Sequence, residues 1–169
     1  HSGANAHIGK HKKEDRLVVF GCLHAGSKHT DYRFFVDDLP KVITNLNVDT
    51  VIGAGDFVEG LRHNNTITGE SVLGTNETHH EKIAGWFVTE GLFRAFKTRF
   101  ELLMDRRKRI SGRKLAEVVE KSLVCFVYIP GNHCEWSLDG GVSPLESFRA
   151  SLFFNLCGAI ENYLREKGF

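Results

Sequence analysis

The stretch Ser122–Glu135, SLVCFVYIPGNHCE, decides how the rest of the chain is read. Val, Phe, Tyr and Ile favour extended backbone, and Pro130-Gly131 ends the run in a sharp turn. The segment therefore reads as a strand buried on both faces and stopped abruptly. Directly after the turn stand Asn132 and His133, two side chains that bind metals or move protons. Two earlier stretches repeat the plan: Leu17–His24 (LVVFGCLH) ends on Cys22 and His24, and Thr50–Asp56 (TVIGAGD) ends on Asp56. Three apolar strands with ligand-type residues at their C-terminal ends predict one shared site at a sheet edge.

The rest of the chain is consistent with such a sheet. The 169 residues suit a single domain, and a hydrophobic content of 41% supports a packed core over disorder. A formal charge of +1 argues neither for nor against a polyanionic partner, so only local clusters inform. Cys22, Cys125, Cys134 and Cys157 show no C-x-x-C spacing, and no cleavable signal precedes the first strand. No apolar run approaches the roughly 20 residues that span a bilayer. These features predict a soluble, cytoplasmic protein without a membrane partner.

Taken in order, residues 1–15 read as a flexible arm, in which His1, His7 and His11 are solvated rather than a built metal site. Asp31–Leu46 carries apolar residues at helical spacing and predicts a helix that kinks or restarts at Pro40. Strand, helix and strand then form a crossover unit, which implies a parallel sheet. Gly60–Asn76 reads as a loop near the site. A long helix follows, opened by a Thr78-x-x-Glu81 capping box and carrying Ile83, Phe87, Val88, Leu92, Phe96 and Phe100 on one face. Gly85 and Gly91 count against it. Arg113–Lys121 predicts a short helix. The last helix is expected to start with Ser143 as N-cap, Pro144 at its first position and Glu146 completing a capping box. Its apolar residues from Leu145 to Tyr163 are expected to cover one face of the sheet.

Asp, His and Asn at the ends of parallel strands suit Mn²⁺, Zn²⁺ or Fe. A carboxylate such as Asp56 has two oxygens and can bridge two ions about 3.5–4 Å apart, the spacing that clamps a phosphoryl group. A His beside such ligands can supply the proton a leaving oxygen needs.

The series CLH (Cys22–His24), GDFVEG (Gly55–Gly60) and GNHCE (Gly131–Glu135) resembles the calcineurin-like metallophosphoesterase superfamily, whose pattern is D-x-H, then G-D-x-x-[DE], then G-N-H-[DE]. The text around these motifs looks most like microbial and phage members. The resemblance spans roughly residues 16 to 165. It implies a layered α/β sandwich, mainly a parallel sheet flanked by helices, with a dinuclear site at the strand ends. It also implies that His24 binds the first of two divalent metal ions, Asp56 bridges them, Asn132 binds the second, and His133 is the catalytic proton donor. The implied activity is phosphoric-ester hydrolysis by metal-activated water, on a phosphodiester, nucleic acid or phosphomonoester.

Two positions depart from the pattern. Cys22 stands where the family has Asp; it reads either as a thiolate ligand favouring Zn²⁺ or as a small buried hydrophobe. Cys134 stands where the family has an acid, with Glu135 one residue later. No His follows His133, so the family's further His ligands are missing. That implies that residues 16–169 are the N-terminal portion of a longer domain, or that self-association or a partner chain completes the site. Exposed apolar surface is the expected consequence.

The remaining polar clusters have plain readings. His79 and His80 read as an exposed helix start, and His63 as a loop residue that touches substrate or solvent. The basic run Arg106, Arg107, Lys108 and Arg109, with Arg94, Lys97, Arg99, Arg113 and Lys114 near it, is a solvated face or a contact for nucleic-acid phosphates. The competing function is a catalytically incomplete nucleic-acid- or protein-binding module on the same scaffold.

Overall fold

A computed structural model describes residues 15–59, 73, 76–104, 110–135, 141 and 143–169. The basic run Arg106–Arg109, the arm before residue 15, and His63 with most of its loop lie outside the described residues.

Three strands form, β1 (Leu17–Gly21), β2 (Thr50–Gly55) and β3 (Cys125–Pro130). They pair in the order β1-β2-β3, both pairs parallel, with Leu17, Thr50 and Cys125 in register. Side chains alternate between the faces of a strand, so this register lines up Val18, Phe20, Val51, Phe126 and Tyr128 on one side. That side packs into the core, with Phe20, Phe57, Phe126, Tyr128 and Phe148 meeting edge-on, tilted or stacked. The other side carries Leu17, Val19, Val127 and Ile129, which are 57, 58, 40 and 54% exposed. The expectation of strands buried on both faces is therefore corrected. The described helices cover one face, and the apolar composition of the other is not matched by cover.

After β1 the chain makes a π-helical turn, Phe34–Asp38, before α1 (Leu39–Asn45). The Leu39 N–H reaches back five residues to the Phe34 carbonyl, and Pro40 then sits in the first turn of a fresh α-helix. A widened turn before a residue without an N–H is how the expected kink is accommodated.

The long helix, α2, runs from Glu77 to Met104, about 42 Å at 1.5 Å per residue. Its start differs from the expected capping box. The Asn76 side chain accepts the His79 N–H at 2.9 Å, and Glu81 is buried elsewhere. Gly85 and Gly91 are tolerated because neighbours press on them. A Cβ at Gly85 would lie 2.8 Å from Ser151 Oγ, and one at Gly91 2.5 Å from the Phe35 carbonyl. α3 (Gly112–Ser122) packs Val118 beside Phe96, Phe100 and Tyr163 in a second cluster.

The last helix, α4, spans Glu146–Glu166 and packs mainly along α2. Ser143 and Pro144 lie before it, which corrects the expected start. Leu145 occupies the cap position in the left-handed region (φ 58°), fully buried and without a side-chain cap of its own. The missing acceptor comes from another helix: the Glu81 carboxylate accepts the Phe148 N–H at 3.0 Å. Burial of Leu145 displaces the start, and a buried acid on α2 caps it. Phe148 reaches the sheet, whereas Phe153 and Phe154 point to solvent. No helix among the described residues is long and apolar enough to cross a membrane.

Candidate metal centre

The site is built by three loops at the C-terminal edge of the sheet. Beyond β1 and β2 the backbone pairing continues through the loops: Cys22 N–H donates to the Ala54 carbonyl (3.2 Å), His24 N–H to Asp56 (2.8 Å), Ala25 N–H to Phe57 (2.9 Å) and Glu59 N–H back to Ala25 (2.9 Å). Thr30 Oγ1 donates to the carbonyls of Leu23 and His24. This ladder lays the His24 loop along the Glu59 loop. Cys22 (φ 52°) and His24 (φ 48°) both sit in the left-handed region, where a non-glycine residue costs about 1–3 kcal/mol.

The third loop follows β3. Gly131 leads into a single helical turn, Asn132–Glu135, and the His133 N–H donates to Asp56 Oδ1 at 2.9 Å. A Cβ at Gly131 would collide with that carboxylate oxygen and lie 2.7 Å from the Asp56 nitrogen, so only glycine permits this approach. Cys134 is buried beneath the turn and its Sγ accepts the Phe57 N–H at 3.2 Å. Burial pushes its thiol pKa up, which suits a packing role. The acid that follows, Glu135, is exposed, and Asp56 rather than Glu135 anchors His133.

These loops bring four side chains together. His24 Nδ1 lies 3.0 Å from Glu59 Oε2, with the two side chains 31 and 23% exposed. The His24 and His133 rings meet edge to face at 5.1 Å, and His133 Nε2 is 3.9 Å from Asp56 Oδ2. One ligand atom from each of His24, Glu59 and His133 falls within 4.8 Å of the other two. His24 Nδ1 is buried from solvent, yet its contact with Glu59 lacks the alignment of a hydrogen bond. Two donor atoms at ligand spacing, without a hydrogen bond between them, suit a cation shared by both.

Cys22 and Asn132 are placed differently. Both are exposed, Cys22 in the wall of an open cleft of about 520 Å³ that also includes His24, His29, Asp31 and Glu59, and Asn132 at the head of the helical turn. Glu59 is the residue the motif reading passed over, although it ends the G-D-x-x-[DE] pattern three residues after Asp56.

The other polar candidates are largely structural. His79 is exposed as expected, but His80 is fully buried, its ring packed where a Gly26 Cβ would be. Arg94 bonds Glu90 at 2.6 Å and reaches Asp37, and Arg99 is buried, donating to the Val48 carbonyl and Asn47 Oδ1. Arg113 lies one turn from Glu117. Comparison with protein-family models, with curated proteins and with solved structures finds no match.

Proposed function

We propose that this chain is a metal-dependent phosphoric-ester hydrolase on a metallophosphoesterase-like layered scaffold. One observation carries the reading. The ends of three parallel strands, distant in sequence, converge to place His24, Asp56, Glu59 and His133 around one point. Imidazole nitrogens and carboxylate oxygens suit Mn²⁺, Zn²⁺ or Fe²⁺. A bound ion would polarise a phosphoryl oxygen and lower the pKa of a water towards ~7.

The chain's own residues do the rest. The backbone ladder fixes His24 beside Glu59, so the donors are set before an ion arrives. Asp56 anchors the turn that carries His133 and keeps its second oxygen 3.9 Å from that ring. The adjacent cleft of about 520 Å³ opens beside His24 and Glu59, where a phosphoester would enter.

Hydrolysis of bis-p-nitrophenyl phosphate with added Mn²⁺ or Zn²⁺ tests the reading. Turnover that is lost with chelator, and lost in Asp56→Asn with the fold intact by circular dichroism, is the expected result. Salt-sensitive DNA binding without metal and without turnover would assign a binding module instead.

A further inference from the structure

From the ligand geometry we infer that the centre takes a single ion, held by His24, Glu59 and His133, with Asp56 outside the coordination sphere and Cys22 not a ligand. This rests on the strand-end cluster being a metal site, as proposed above. It departs from the resemblance, which implies two ions bridged by Asp56 and a proton-donating His133.

Spacing is the first ground. Ligand atoms about 2.0–2.1 Å from a tetrahedral ion lie about 3.3–3.4 Å from each other. The His24–Glu59 pair, at 3.0 Å, is already there, and His133 is within 4.8 Å of both. Among the described residues this is the one group of three His, Cys, Asp or Glu side chains at such spacing, and neither Cys22 nor Asp56 joins it.

The second ground is what Asp56 is doing. Its Oδ1 accepts the His133 backbone N–H, and its Oδ2 faces the ring at Nε2. Both oxygens are thus turned to His133, and Asp56 stands outside the group that His24, Glu59 and His133 form. A carboxylate set behind a ligating imidazole is a recurrent outer arrangement, in which it fixes the ring and raises its basicity. Asp56 is therefore a positioning residue, and His133 binds through the nitrogen turned away from it.

The ligand count follows. Two imidazoles and one carboxylate leave at least one coordination position open, as a catalytic ion requires. The set contains no sulfur, so Co²⁺, Zn²⁺, Fe²⁺ and Mn²⁺ are all admitted.

The chelator-stripped full chain is titrated with Co²⁺, followed by calorimetry and by visible absorption. Glu59→Gln and His24→Gln should each remove one equivalent relative to the unchanged chain, so that weak binding on the histidine-rich arm cancels. Asp56→Asn should keep that equivalent with affinity lowered about 10–100-fold, the range for an outer-shell partner. Cys22→Ser should change neither affinity nor spectrum. Paramagnetic broadening of the His24 and His133 ring signals in the unchanged chain reads the same set without any substitution. Two equivalents lost together in Asp56→Asn, or a thiolate-to-Co²⁺ band that vanishes in Cys22→Ser, would overturn the inference while leaving the hydrolase reading standing. Binding that survives both Glu59→Gln and His24→Gln, or no binding at all, would overturn the inference and the metal site with it.

Discussion

Glu81 offers a decisive test of how this fold is held together. Its side chain is buried on α2, 6% exposed, and caps the start of α4 by accepting the Phe148 N–H. Two substitutions separate its roles. Glu81→Ala removes the acceptor and leaves a buried donor, which costs about 1–3 kcal/mol. Loss of an N-cap alone costs about 0.5–2 kcal/mol. These overlap rather than add, so Glu81→Ala should lower stability by about 1–3 kcal/mol at acid pH, where the carboxyl is protonated, and by less as it ionises. Glu81→Gln keeps an acceptor oxygen without charge and isolates the effect of ionisation.

Two influences act on that charge. The helix N-terminus and the backbone N–H groups of Phe148, Ser147 and Leu145 favour the anion, whereas burial and nearby Glu77 disfavour it. Burial is the largest, and it raises the carboxyl above its ordinary value of 4.5. A carboxyl whose folded-state pKa lies above the unfolded one binds its proton more tightly in the native state. Stability is then full below the unfolded value and is lost as pH rises through the folded value. Urea midpoints of the unchanged chain and Glu81→Gln, followed from about pH 4 to about pH 7, should start together and diverge, with the Gln variant the more stable at the upper end. A midpoint that climbs with pH relative to Glu81→Gln would show that the helix end outweighs burial, and would refute this account. So would an Ala variant within about 0.5 kcal/mol of the parent at acid pH.

Two further predictions follow from the geometry. Gly131→Ala forces a Cβ against Asp56 and Gly55 and breaks the His133 N–H bond to a charged acceptor, worth about 1.5–3 kcal/mol. It should therefore lower both urea stability and Co²⁺ affinity, and unchanged values of both would refute the close approach. Val19→Lys with Ile129→Lys, on the open face of the sheet, should alter stability by no more than about 0.5 kcal/mol each while reducing self-association in light scattering. A loss above about 2 kcal/mol would show that this face is covered.

The three strands, their order along the chain and the loops that follow them were legible because each signal is local: an apolar run, then Gly or Pro, then a ligand-type residue. The C-terminal helix was legible in its periodicity but not in its first residues, because burial of Leu145 and a cap from Glu81, over 60 residues earlier, are tertiary facts. His80 read as surface and Glu81 as a cap of its own helix for the same reason, since nothing nearby in sequence announces Gly26 or Phe148 as partners. The open sheet face reverses the usual inference. Leu17, Val19, Val127 and Ile129 have the composition of covered strands, and composition reports what a surface favours, not what lies on it. Glu59 is the instructive omission. Its motif position was visible, but its importance depends on Glu59 N–H pairing with Ala25, which turns two loops into one ladder.

That ladder also bears on the proposed metal centre. Cys22 and His24 both hold left-handed backbone, each at a cost of about 1–3 kcal/mol that glycine would largely avoid. Cys22 N–H, His24 N–H and the two carbonyls met by Thr30 are all satisfied, so the strain is held in place by bonds rather than relaxed. The same bonds set the His24 ring against Glu59 at ligand spacing. Glycine at position 24 would keep the turn and lose the imidazole. In the proposed metal centre, that strain is the cost of presenting the His24 imidazole to Glu59.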